Sequence, residues 1–198
     1  MAGAKKEEST LGKALRLGGT LFAVTAVTGL ILGYVEFETR KAIERTHAEA
    51  KAEVLRNVLP EAESFKAVEM PSPDDTITDV QEALSGAEKV GYCLTVQSKG
   101  YGGLVNFVVG VTDKGTVRAI NILSHSETPG LGAKSTEPEF YGQFTNREKL
   151  PLKVVKGAAE AEDEISAISG ATITSNAVTS GVNAAVEYWS KNLKEGQK

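Results

Sequence analysis

Leu104–Leu123, LVNFVVGVTDKGTVRAINIL, decides the fold class. Two runs rich in β-branched and aromatic residues, Leu104–Thr112 and Thr116–Leu123, flank the turn sequence Asp113-Lys114-Gly115. Residues of that kind suit a pleated, half-buried surface, and a glycine-bearing turn between them predicts a β-hairpin. Upstream, Val90–Gln97 has the same composition and predicts another strand; downstream, Leu152–Val155 does so again. Glu137–Asn146 suggests a short helix or turn, and Met70–Asp75, MPSPDD, a loop. From Asn176 to Leu193 the period changes: Val178, Val182, Val186 and Trp189 return near one face, which predicts a helix. Strands joined by hairpins and followed by a helix make an α+β domain, an antiparallel sheet packed with helices.

The chain in front of this domain reads differently. Leu17–Val35, LGGTLFAVTAVTGLILGYV, carries no charge over its 19 residues. As a helix it would extend about 28 Å, close to the hydrocarbon thickness of a bilayer. Gly18, Gly19, Gly29 and Gly33 weaken a helix in water but are common where membrane helices pack, and Gly29 and Gly33 form a GxxxG pair. A cleaved signal peptide would have a shorter apolar region and a small-residue cleavage site, and a core helix would have a polar face. A transmembrane helix over 17–35 is therefore expected. Lys5, Lys6, Lys13 and Arg16 make the short arm 1–16 basic, which places that arm in the cytoplasm and the large domain outside. Glu36 to Leu59 has neither Gly nor Pro and is rich in Ala, Glu, Lys and Arg, a solvated stem helix over 36–60 that Pro60 ends. The outer domain occupies 61–198.

Composition narrows the chemistry. The chain of 198 residues is 41% hydrophobic with a net charge of −4, which suits one folded domain and opposes nucleic-acid binding. Cys93 has no disulfide partner, and His47 and His125 have no ligand-like spacing, so no protein metal site is expected. A buried, inert thiol is the expectation for Cys93.

Two segments outside the regular elements remain. Ser124–Lys134, SHSETPGLGAK, follows a strand; its glycines and proline let backbone amides approach a ligand, Glu127 and Thr128 add an acceptor and a hydroxyl, and Lys134 a phosphate partner. An ordinary surface turn has the same composition. Ile168–Ala177, ISGATITSNA, passes from small residues through three hydroxyls into the helix expected near Asn176. Ser175 or Thr174 fits a plain helix cap, and the same segment fits a phosphate site at a helix N-terminus. The residue pattern accommodates both.

SGATITS taken together with HSETPGLGA resembles the FMN-binding domain family found in the RnfG subunit of Rnf complexes and in the related C subunit of sodium-pumping NADH:quinone reductase. The anchor, the stem ending in Val58-Leu59-Pro60 and the SKGYGG segment at Ser98–Gly103 extend the resemblance over nearly the whole chain. It implies a covalent FMN, joined through phosphate to the hydroxyl of Thr172, and a loop Glu127–Gly132 lying against the flavin. It also implies roles. Ser169, Gly170 and Ala171 let the phosphate approach the backbone; Thr174 and Ser175 bond phosphate or ribityl oxygens; Glu127, Thr128, Leu131 and Gly132 contact ring or ribityl chain. A separate flavin transferase would attach the group. The partners implied are the other membrane and redox subunits of an Rnf-type complex, an electron-transfer assembly that couples ferredoxin and NAD chemistry to ion movement. One departure from the family pattern is Ser166, six positions before Thr172, where an acidic residue is usual. The length favours RnfG over the sodium-pump homologue. Two rival readings stand beside it, a free-standing FMN carrier and a membrane-tethered binding module without redox chemistry.

Overall fold

A computed structural model of the protein describes residues 10–70, 72 and 74–194, and their side chains except at 10–15, 17, 31, 35 and 37–51. The chain divides into two compact units, Met1–Glu49 and Ala50–Lys198.

In the first unit a single helix, α1 (Thr10–Val58), begins and continues without a break through both the expected span and the expected stem. Leu21, Phe22, Val24, Val27, Leu30 and Leu32 are all exposed on it. The hydroxyls of Thr25 and Thr28 donate back to the carbonyls of Leu21 and Val24 at 3.0 and 2.9 Å, so these polar groups are satisfied within the helix. Among the described residues no helix is long and apolar enough to cross a membrane. Leu17, Ile31 and Val35 of the expected span have side chains outside the described residues, as do residues 1–9 of the expected arm.

The second unit is built on a five-stranded antiparallel meander, β1 (Ser64–Ala67), β2 (Ile77–Ser85), β3 (Glu88–Lys99), β4 (Leu104–Thr112) and β5 (Val117–His125), in that spatial order. The hairpin expected around Asp113 joins β4 to β5. Gly115 has φ +90°, and a Cβ there would lie 2.6 Å from the Trp189 ring, so the turn needs glycine twice over. Between β5 and the last helix come short helical turns over 132–144, with α2 at Pro138–Tyr141, and a parallel pair, β6 (Lys153–Val155) and β7 (Glu164–Ser166). The final helix, α3 (Thr172–Asn192), packs on β3 and β4.

Strand alternation divides the sheet into two faces. Leu94 and Val96 of β3 and Val105, Phe107, Val109 and Val111 of β4 meet Val178, Val182, Ala185 and Trp189 of α3 in the main core. On the opposite face Cys93, Val108 and Ala83 meet Leu55, Val58 and Leu59 from the end of α1 and the residue after it. There Gly110 lets backbone touch backbone: a Cβ would lie 2.4 Å from the Val58 carbonyl oxygen. The site lies at the end of the main core where β3 turns into β4 and α3 begins.

Candidate functional site

The helix α3 starts at Thr172, four residues ahead of the Asn176 expected from its apolar period. Gly170, at φ +76°, turns the chain, and Ala171 occupies the cap position with no side-chain cap bond. Thr174 and Ser175 are therefore not caps; both sit inside the first turn, buried, with their hydroxyls used elsewhere. Ser175 Oγ donates to the Ala171 carbonyl at 3.0 Å and accepts the Ile168 N–H at 2.9 Å. Thr174 Oγ1 donates to Glu127 Oε2 at 2.5 Å. The Ser175 N–H donates to the Ala171 carbonyl at 3.1 Å, but the amides of Thr172, Ile173 and Thr174 precede the first intrahelical bond, and no capping side chain stands in for an acceptor. An uncapped turn of this kind carries partial positive charge that favours an anion.

Glu127 comes to this turn from the loop after β5. It is 6% exposed, and its other oxygen, Oε1, accepts the Gly102 N–H at 3.0 Å from the turn between β3 and β4. Glycines make room for the carboxylate. A Cβ at Gly132 would lie 2.5 Å from Oε2, and one at Gly100 2.2 Å from Oε1. One buried side chain thus ties together the β3–β4 turn, the loop after β5 and the start of α3.

These three segments enclose a cavity of about 420 Å³, inside the range typical of small-molecule sites. Glu127, Thr128, Leu131 and Gly132 line it from one side and Gly170, Ala171, Thr172 and Thr174 from the other, so the two sequence motifs converge. Tyr101 and Ile173, which no motif singled out as contacts, complete the wall. Ser169 and Lys134 lie elsewhere, lining a separate cavity of about 480 Å³ with Glu137 and Gln143. The short helical turn Gly132–Thr136 swings Lys134 away from the Thr172 cavity. Ser175, fully buried, does not line that cavity.

Ser166 has a structural post. Its Oγ accepts the Ala159 N–H at 2.8 Å, and its backbone pairs with the Gln143 side chain in both directions. The acidic residues just upstream are engaged as well. The Glu164 carboxyl is held below its ordinary range by the N–H groups of Glu160 and Ala161, which donate to it, and by Lys153 beside it. Among the described residues no group of three or more His, Cys, Asp or Glu could hold a metal ion.

The sequence pattern of the FMN-binding domain matches residues 100–187, from the β3–β4 turn to the last turns of α3. The chain is 36% identical to the G subunit of the Na(+)-translocating ferredoxin:NAD(+) oxidoreductase complex of Acetobacterium woodii, over 91% of this chain and 93% of that one. It is 34% identical to the G subunit of the proton-translocating complex of Clostridium ljungdahlii, over 85% and 91%. Among solved structures it is similar to the C subunit of the Na(+)-translocating NADH-quinone reductase of Parabacteroides distasonis, with a TM-score of 0.53, 23% identity and coverage of 69% and 80%, a likeness of fold. A sheet of consecutive strands, a last helix opening at the threonine of SGAT and near full-length likeness to two G subunits lead to one assignment: the chain belongs to the G-subunit family of ion-translocating ferredoxin:NAD(+) oxidoreductase complexes.

Proposed function

We propose that this protein is the FMN-carrying electron-transfer subunit of an Rnf-type complex, with FMN joined through phosphate to the Thr172 hydroxyl. One observation carries the assignment of the site: α3 opens at Thr172 with no capping side chain, on the wall of a cavity of small-molecule size. A helix that is merely capped would have a Ser or Thr side chain on its free amides, and here Thr174 and Ser175 are both committed to other partners. The residues fit the group on three counts. The free amides of the first turn suit a phosphate. Gly170, at φ +76°, lets the chain bend around it. Leu131 and Ile173, both exposed at the cavity, offer apolar surface to a flat ring system.

When bound, FMN supplies the electron chemistry. The protein's own part is to hold the phosphate end at a helix N-terminus, orient the rest of the group between the Glu127–Gly132 loop and Ile173, and keep water from one side. Tethering suits a site outside the cytoplasm, where a dissociated flavin would be lost by dilution. Within the same proposal, residues 17–35 anchor the chain, the domain faces the extracytoplasmic side, and the partners are the other membrane and redox subunits plus a flavin transferase. The exposed apolar row from Leu21 to Leu32 and the self-satisfied Thr25 and Thr28 support the anchor.

Intact mass and peptide mapping of protein made together with a flavin transferase test it. One FMN less one water is expected on the Thr172 peptide. Thr172→Val should abolish that mass while leaving the unfolding free energy within about 0.5 kcal/mol of the parent. An unmodified parent protein would sink the assignment.

A further inference from the structure

The helix α3 and strand β3 leave a gap along one side of their contact. They come closest at Gly181, where a Cβ would lie 2.5 Å from Ser98 Oγ and 2.6 Å from the Phe107 ring. Beside that contact α3 carries Ala177, Ser180 and Ala184, which have too little bulk to fill the angle between helix and strand. A groove of about 780 Å³ remains, lined on the sheet side by Gln97 and Lys99 of β3 and by Leu104 at the start of β4. It is separate from the Thr172 cavity but adjoins it, because Ile173 lines both.

Its chemistry is that of a contact surface. Among the described residues only Asp75 and Lys99 bring charge to its lining, and their signs cancel. The polar side chains Asn176 and Ser180 are exposed, whereas a small-molecule site sets buried polar groups around its ligand. Leu104 is 48% and Ile173 54% exposed. Five large apolar side chains are exposed among the described residues of the second unit, and four of them border this groove or the Thr172 cavity: Tyr101, Leu104, Leu131 and Ile173. Exposed apolar residues are ordinary when scattered and mark an interface when gathered.

We propose that this groove seats an uncharged, largely apolar face of another subunit of the same complex, which thereby lies beside the flavin. This rests on the electron-transfer assignment made above. A carrier that docks briefly and leaves is steered by charge of one sign facing charge of the other. Asp75 and Lys99 supply no such field. Permanent interfaces are the more apolar kind, with charged residues thinned from their centres, and the groove matches them.

The test compares the isolated full chain carrying flavin with the purified complex. Ser180→Cys puts a thiol in the groove, and the buried Cys93 gives little background. Maleimide labelling of that thiol should slow at least about tenfold in the complex, because a seated partner excludes water. The protection should persist at about 1 M salt, where the Debye length is only about 3 Å. Ser180→Trp fills the groove from an exposed position; it should keep its flavin and its thermal midpoint yet fail to copurify with the complex. Equal labelling rates for chain and complex overturn the proposal, as does Ser180→Trp assembling at parental stoichiometry. Protection that vanishes in salt overturns the apolar partner in favour of one held by charge. A Ser180→Cys chain that is protected in the complex but bears no flavin on Thr172 sinks the flavin assignment and leaves the docking groove standing.

Discussion

Cys93 occupies the face of β3 turned away from α3, 1% exposed among Leu55, Val58, Leu59 and Val108. Burial alone pushes its thiol up to about 12, because the thiolate would be stranded without solvent. Reactivity follows the thiolate fraction. At pH 8 the native protein should therefore be alkylated by iodoacetamide roughly three orders of magnitude more slowly than after unfolding in urea. Rapid labelling of the native form would mean that the end of α1 opens away from the sheet. Residue types explain what the sequence conveyed at this scale and what it withheld. Glu127, Thr128, Leu131, Gly132, Gly170, Ala171 and Thr172 sit in compact motifs and line one cavity, whereas Ser169 of the same SGAT motif faces another. Tyr101 could not be named from sequence, since one aromatic in a glycine turn has no periodicity; only its exposure and the packing of Gly100 and Gly102 single it out. Lys134 points the other way: a basic residue near a glycine loop suggests a phosphate partner, but a single helical turn carries it into another cavity.

Among the elements, β4 and β5 were the most legible, because β-branched residues on both sides of Asp113-Lys114-Gly115 agree with the turn. The strand β2 was hidden. In ITDVQEALS only Ile77, Val80, Ala83 and, at 8% exposure, Gln81 are buried, and its acidic residues and Ala-Leu pair dilute the alternation. The start of α3 was hidden for the opposite reason: Thr172-Ile173-Thr174 is β-branched and suits an extended chain, yet it forms the first helical turn because Gly170 and the Glu127–Thr174 bond fix its entry. The contact between the end of α1 and β4 also lay beyond sequence, since nothing marks Gly110 as the residue under the Val58 carbonyl. That contact is sharply testable. Gly110→Ala should force the helix end off the sheet and cost about 1–3 kcal/mol, read as a lower urea midpoint with an unchanged slope. A parental midpoint would show that the helix end shifts freely and contributes little to the second core.

For the whole molecule, the division at Glu49 and Ala50 sets where the chain can be cut. A protein beginning at Ala50 keeps Leu55, Val58 and Leu59 over Cys93 and Val108 and should fold, which the cooperativity of its thermal unfolding would show. One beginning at Glu61 loses three buried side chains worth about 1.5–3 kcal/mol each and should unfold at a markedly lower temperature. Equal midpoints for the two would demote the helix end to a tether. The order of the strands has a further consequence, in time rather than in space. Each strand of the meander pairs with the one made just before it, so the sheet can form as the chain is synthesised. The helix α3 comes last, and with it one wall of the main core. Thr172 takes its place in the first turn only when that helix docks on the sheet. The cavity is therefore completed late, when the helix docks on a sheet that can already hold the turn carrying Tyr101.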